Sequence, residues 1–212
     1  MDKIILVGGG GHCASCIDVI EQGQQFEIAG IVDMPAKSGT TLLGYSVIGN
    51  DADITELTKE FRYFLITLGQ IETPQRRIAL FNLIIESGGK LATVISPRAY
   101  VSRHADIGAG TIIMHNALVN AGAHIGVNSI VNSCALIEHD ATVGDHCHIS
   151  TGAIINGGTQ IAEKTFIGSN SVIRDNIRVG SNSVISAGIR VVKAIPDNSF
   201  YAGDKIKPQR RS

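Results

Sequence analysis

The sequence predicts a chain in two parts: a small α/β unit with a parallel sheet over residues 1–94, then a parallel β-helix of hexapeptide repeats over residues 95–212. Three observations lead there. Apolar strand-like runs alternate with segments of helical period in the first part. From Ile95 onward every sixth residue is Ile or Val. The chain has 24 Gly, 5% aromatics and no Trp, a composition that turns often and packs thin layers.

The first part opens with Lys3–Val7 (KIILV), a buried-strand pattern ending in four glycines, Gly8–Gly11. His12–Gln22 carries Cys13, Cys16 and Ile20 on one helical face. Glu27–Asp33 is a second strand with an acid at its carboxyl end, Asp51–Glu60 a weaker helix, and Phe61–Gly69 a third strand. Thr73-Pro74 reads as an N-cap followed by Pro at the first helical position, opening a helix to about Ser87. Lys90–Ile95 is a further strand. Alternation of this kind predicts parallel strands joined by right-handed crossovers.

In the second part the six-residue step runs from Ile95 through Val191 over 17 consecutive positions without an insertion. Two residues before most of these stands a small side chain, such as Thr111, Ser129, Cys147 and Thr165; only Ile177 and Ile189 depart from that rule. The β-branched and the small residue of each hexad point inward on a short strand, and three hexads close one triangular coil. Coils stack at the strand spacing of about 4.8 Å. The residues just before each Ile or Val form three outward columns. One reads Tyr100, Leu118, Leu136, Ile154, Val172; the second Ile112, Ile130, His148, Phe166, Val184; the third Asp106, His124, Thr142, Gln160, Arg178. Two apolar faces on one prism predict self-association, and three prisms around a threefold axis satisfy both, so a homotrimer is expected.

Charge sets limits on partners. With 18 basic and 19 acidic side chains the formal net charge is -1, which argues against nucleic acid or an anionic membrane as a bulk-charge partner. No apolar run approaches the ~18 residues of a membrane span. Four scattered Cys make no disulfide framework, and the start reads as strand and loop, so a cytoplasmic protein is expected.

Glu138-His139-Asp140 is the segment best suited to chemistry. His139 falls at a corner between an apolar and the polar face, with Gly157-Gly158 one coil further along. An imidazole beside open backbone amides supplies the base and the oxyanion donor that acyl transfer needs, and a flanking acid keeps the ring basic. Taken alone, the same pattern also fits a solvated turn histidine. His148 fits either a cofactor contact or an interface histidine. His104, His115, His124 and His146 lack a matching acid cluster, and no metal site is expected. The Gly8–Gly11 loop with His12 follows a strand and opens a helix, the Rossmann-like arrangement for a phosphate, with Asp33 placed for a ribose hydroxyl. Cys13, where a full dinucleotide motif has Gly, argues against a hydride-transfer cofactor, and Cys13 and Cys16 read as buried small residues.

The GGGGH start, the unbroken hexapeptide region, IEHD at 137–140 and HIS nine residues on together resemble the NeuD/PglD-like sugar acyltransferase family over nearly the full length. That family includes sialic acid O-acetyltransferases and bacterial N-acetyltransferases of UDP-linked 4-amino-4,6-dideoxy sugars. The resemblance implies a left-handed β-helix, a homotrimer, and acetyl-CoA as acyl donor in a cleft between prisms. It assigns His139 as general base and Asp140 as the acid behind it. It gives His148, Gly157, Ser169 and Ala187 to acetyl-CoA, and Gly10, Gly11, His12, Asp33 and Gly69 to a nucleotide-linked sugar. The implied activity is N-acetylation of an amino sugar in bacterial glycan biosynthesis; O-acetylation of a sialic acid-like sugar and a non-catalytic trimeric sugar-binding scaffold are the alternatives. Two departures stand out: Asp33-Met34 where the family often has an acidic pair, and a tail of Gly203-Asp204-Lys205-Ile206-Lys207 without the usual Pro.

Overall fold

A computed structural model describes residues 1–203 and 206–208. Asp204 and Lys205 of the tail, and residues 209–212, lie outside the described residues. The chain divides into two compact units, one of residues 1–69 and 75–97, the other of residues 70–74 and 98 onward.

The first unit is built on β1 (Asp2–Val7), flanked in parallel by β2 (Phe26–Val32) and by β5 (Tyr63–Ile66). The expected parallel sheet is in fact mixed. β3 (Thr41–Leu42) and β4 (Tyr45–Gly49) form an antiparallel hairpin, and with β6 (Lys90–Leu91) the order is β3-β4-β2-β1-β5-β6. The hairpin turns through Leu43 (φ 49°) and Gly44 (φ 89°), a two-residue turn of positive φ that strand twist favours. α1 (Gly11–Gly23) buries Cys13, Cys16, Ile17, Val19 and Ile20, the face its period predicts. α2 (Ile54–Glu60) follows a short 3-10 turn closed by a capping box between Asn50 and Asp53, and α3 (Gln75–Glu86) buries Arg77, Leu80 and Ile84. The core joins Ile5, Val7, Val32, Ile54, Phe64, Ile66, Leu80, Ile84 and Leu91. A last strand, β7 (Val94–Ile95), ends the unit.

The second unit is a left-handed parallel β-helix of two-residue strands, each paired in parallel with the strand 18 residues on, as in Leu118↔Leu136 and Leu136↔Ile154. The inward Ile and Val stack is dry: Ile113, Val119, Ile125, Val131, Ile137, Val143 and Ile149 are all fully buried. Each such side chain contributes about 1.5–3 kcal/mol, so the stack holds the coils together. The small inward residues have a second job. Thr111 Oγ1 donates to the Gly126 carbonyl (2.7 Å), Ser129 Oγ to Gly144 (3.1 Å), Cys147 Sγ to Ala162 (3.2 Å), Thr165 Oγ1 to Gly180 (2.9 Å) and Ser183 Oγ to Pro196 (3.1 Å). Most also accept an amide from the next coil, so the interior ladder is satisfied without water. Burial pushes the Cys147 thiol up to about 12, leaving it a hydroxyl substitute rather than a nucleophile.

The outward columns depart from expectation in one respect. Ile112, Ile130, His148, Phe166 and Val184 are already buried within the single chain, with Gln70 of the segment Gln70–Pro74 bonded to that face. Leu118, Leu136, Ile154 and Val172 remain half-buried and Tyr100 is exposed, so one apolar face is left open rather than two. A hexad pattern records which side chains point outward, and not which ones a distant segment will cover.

Candidate active site

His139 leaves the strand Leu136–Ile137 and stands on the corner before Thr142–Val143. The next residue, Asp140, takes the left-handed conformation (φ 58°) that turns the corner, which Asp tolerates better than most side chains. That turn brings Asp140 Oδ2 to 2.9 Å from His139 Nδ1. With a carboxylate at Nδ1, the Nδ1–H donates and Nε2 is left with a free lone pair. The Asp140 hydrogen bond raises the His139 pKa above its ordinary value; desolvation opposes it, and the charges of Asp140 and then Glu138 add to the rise. Glu138 is itself held: its Oε2 accepts from Asn120 Nδ2 (2.7 Å) and from the His139 amide (3.3 Å).

The ring lies across Gly157 in the following coil. A Cβ on Gly157 would meet His139 Cε1 and Nε2 at 2.9 Å, so only glycine lets the imidazole rest there. The Asn156 and Gly158 amides bond to the Ile173 and His139 carbonyls, whereas the Gly157 amide between them has no acceptor among the described residues. Around this point runs a groove of about 570 Å³ lined by Glu138, His139, Asp140, Asn156, Gly157, Gly158, Asp175 and Asn176. A basic imidazole, an open amide and space for a reacting group are thus assembled at one corner.

His148, Ser169 and Ala187 stand elsewhere. His148 is buried on the strand His148–Ile149; its Nδ1 donates to the Gln70 carbonyl (2.6 Å), its Nε2 accepts from Asn132 (3.2 Å), and its ring meets Phe166 edge-on. Ser169 and Ala187 lie one coil apart on the corner that follows this face, where the Gly188 amide bonds to the Ser169 carbonyl and Ser169 Oγ to Ser150 Oγ. Within one protomer a whole face, the one carrying Leu136 and Ile154, separates this corner from that of His139. His124, which has no acid cluster in the sequence, pairs with Asp106, its neighbour in the same outward column, at 3.0 Å on the polar face. Among the described residues no group of three or more His, Cys, Asp or Glu could hold a metal ion.

In the first unit, Gly8 and Gly9 have internal reasons to be glycine: a Cβ would strike Leu68 in one and Asp33 Oδ2 in the other. Gly10 and Gly11 have none, since their Cβ positions face open space and their φ values are ordinary. Gly10 is the N-cap of α1 and makes no side-chain cap bond, so the first turn opens toward that space. Gly69 comes near His12: a Cβ on Gly69 would lie 4.0 Å from His12 Cβ. Asp33 is buried and occupied: it accepts from the Gly9 amide (3.0 Å), the Met34 amide (2.8 Å) and Lys37 Nζ (2.7 Å). Burial alone would raise its pKa; these donors, Lys37 first, outweigh it and hold the carboxyl below its ordinary value. Lys37 and Arg77 escaped sequence reasoning. Arg77 lies buried in α3 and donates to the Ile66 and Leu68 carbonyls (2.9 and 2.6 Å), fixing the chain that leads to Gly69.

The hexapeptide-repeat β-helix places this chain in the hexapeptide-repeat acyltransferase class. Sequence profiles agree: the PglD N-terminal domain matches residues 3–81, and the hexapeptide repeat of succinyl-transferase residues 159–193. The acetyltransferase domain of PglB from Neisseria gonorrhoeae, solved in complex with acetyl coenzyme A, is 30% identical, with 97% of this chain and 98% of that chain covered and a TM-score of 0.88. PerB from Caulobacter crescentus, solved with CoA and GDP-perosamine, is 26% identical with 98% of each chain covered and a TM-score of 0.88. A mutant of the perosamine N-acetyltransferase from the same organism, also with CoA and GDP-perosamine, is 25% identical over 98% of this chain and 96% of that one, at a TM-score of 0.90. No protein of the curated set matches. The chain belongs to the PglD-like family of sugar acyltransferases.

Proposed function

We propose that this protein is an acetyl-CoA-dependent N-acetyltransferase of a nucleotide-linked amino sugar in bacterial glycan biosynthesis, acting in the cytoplasm. The observation that carries the reading is the His139 ring, held by Asp140 at Nδ1 and laid across Gly157. Nε2 takes a proton from the sugar amine as the amine attacks the thioester carbonyl. The Gly157 amide receives the oxyanion, and CoA leaves as the thiolate, which the proton from His139 neutralises. The chemistry is direct transfer, with no acylated side chain. Acetyl-CoA and CoA in the solved relatives support the donor, and GDP-perosamine supports a nucleotide-linked amino sugar as acceptor class.

Three carboxylates on the groove, Glu138, Asp140 and Asp175, favour an amino sugar over a neutral hydroxyl by attracting its ammonium form, which releases one proton to solvent before the neutral amine attacks and passes its second to His139. The open space at Gly10 and Gly11 at the start of α1 favours the acceptor's phosphates there, with His12 and Gly69 beside it. Asp33 serves this loop by bracing Gly9. We assign the 1–94 region to the nucleotide sugar and the 95–212 region to acyl transfer. A homotrimer completes the assignment. The open face of Leu118, Leu136, Ile154 and Val172 would be covered, and the His148, Ser169 and Ala187 side of one protomer would meet the His139 corner of a neighbour to close the acetyl-CoA cleft.

The test is thiol release from acetyl-CoA with a panel of nucleotide-linked 4-amino sugars and their 4-hydroxy counterparts. Turnover with the amines alone is expected. Turnover with the hydroxyl set alone transfers the reading to O-acetylation, and acetyl-CoA binding without turnover on either set to a scaffold.

A further inference from the structure

The corner one coil before His139 shows what lets Asp140 reach its partner. Gly122 lies directly beneath Asp140 in the stack, and a Cβ on Gly122 would overlap Asp140 Oδ1. The left-handed backbone of Gly122 (φ 74°) does not by itself call for glycine. The same kind of corner is turned by Asn116, Asn128, Cys134, His146, Lys164, Asn176 and by Asp140 itself, at φ values of 52–60°. Gly152 and Gly158 seat Asn170 and Asn176 in the same way; at Gly122 the group that fills the volume of the absent side chain is the carboxylate that holds His139 Nδ1. The backbone ladder through this corner, Gly122 amide to His104 carbonyl (3.1 Å) and Asp140 amide to Ala121 carbonyl (3.1 Å), fixes the backbone spacing, so a Cβ on Gly122 could be accommodated only by moving the carboxylate off its seat.

We propose that Gly122 is a positioning residue for the acyl-transfer site, acting only through Asp140: its bare Cα is the seat in which the Asp140 carboxylate rests against His139. The catalytic meaning of this seat rests on the reading of His139 as the base; the mechanical coupling does not. The charged groups that face His139 are Glu138, Asp140 and Asp175 on the groove. The Arg103–His104 pair (3.1 Å) stands on the same corner two coils before His139 and Asp140. Asp140 touches both Gly122 and the imidazole.

The experiment measures the His139 ring pKa by NMR titration in the full-length protein, wild type against Gly122→Ala, Gly122→Asn, Asp140→Ala and Gly122→Ala/Asp140→Ala. The Asn variant suits the left-handed backbone, so it keeps the test alive if the Ala variant folds poorly. Gly188→Ala, at φ 71° with open space around its Cβ, reports the backbone cost alone through its melting temperature. Either Gly122 variant is expected to lower the His139 pKa to near the Asp140→Ala value. It should lower kcat by up to about 10²-fold, the scale of a ~1 Å misplacement, while Gly122→Ala adds nothing to either quantity in the Asp140→Ala background. An unchanged His139 pKa in both Gly122 variants, or effects that add in the double variant, would overturn the proposal. Undiminished turnover by His139→Ala with the pKa coupling intact would instead remove the catalytic reading and leave the coupling standing.

Discussion

Replacing Gly157 by Ala displaces the imidazole while keeping the Gly157 backbone amide. The added methyl would sit 2.9 Å from both Cε1 and Nε2 of His139, against an ordinary contact of about 3.5–4.0 Å. The ring must therefore retreat by roughly 0.6–1.1 Å, and it is free to do so because it is exposed on its other side. Gly157 is not among the residues of positive φ, so Ala fits its backbone without strain, and its site is a groove rather than a core. The fold should survive with a change of about 0.5 kcal/mol or less, the scale of a surface substitution. The reacting nitrogen, displaced by about 1 Å, should lose on the order of 10²-fold in kcat/KM. Steady-state thiol release beside a thermal melt reads both. Wild-type kcat/KM in a folded Gly157→Ala protein would refute the placement of His139 Nε2 against this amide.

Other outcomes follow from the same geometry. Because Asp140 raises the His139 pKa and the base acts unprotonated, kcat/KM should climb with pH through a value above the ordinary ~6.5. Asp140→Asn should move that limb down in pH and lower the plateau. Gly10→Ala adds a methyl to open space at an ordinary φ, so stability should hold while KM for the sugar nucleotide rises and KM for acetyl-CoA does not; equal KM values would clear the loop of acceptor binding. Asp33 has a lowered folded pKa, so its stabilising contribution is present above the unfolded carboxyl value and fades as pH falls through the folded one. Lys37→Ala should cost about 1 kcal/mol at neutral pH, discounted for the half-exposed ammonium, and less in acid, read by denaturant melts at two pH values.

Much of the second unit was legible because its repeat leaves no freedom. Once Ile or Val recurs every six residues, the partners 18 apart, the inward stack and the hydroxyl ladder all follow, and the structure pairs Leu136 with Ile154 in that register. The same arithmetic put His139 on a corner one coil before Gly157. It could not show that Gln70 would bond across the His148 face, since that segment lies 78 residues away in sequence. In the first unit, the alternation of Lys3–Val7, α1 and the strand ending at Asp33 was readable from local period. The β3-β4 hairpin was not, because its turn is Leu43-Gly44 and lacks the Asn or Asp that marks such turns. Lys37 and Arg77 were missed for a shared reason: each acts on backbone or carboxylate brought near by folding, and no sequence motif announces a side chain whose partners are strand ends. Asp33, legible as an acid at a strand end, is committed to Gly9 and Lys37 in the folded chain.

The measurement that bears most directly on the whole account is the single-turnover rate of thiol release by His139→Ala, with saturating acetyl-CoA and an accepted nucleotide-linked amino sugar. A general base contributes about 10²–10⁴-fold, so the variant should bind both substrates, melt like the wild type and release thiol slower by that factor. Release at the wild-type rate would contradict it.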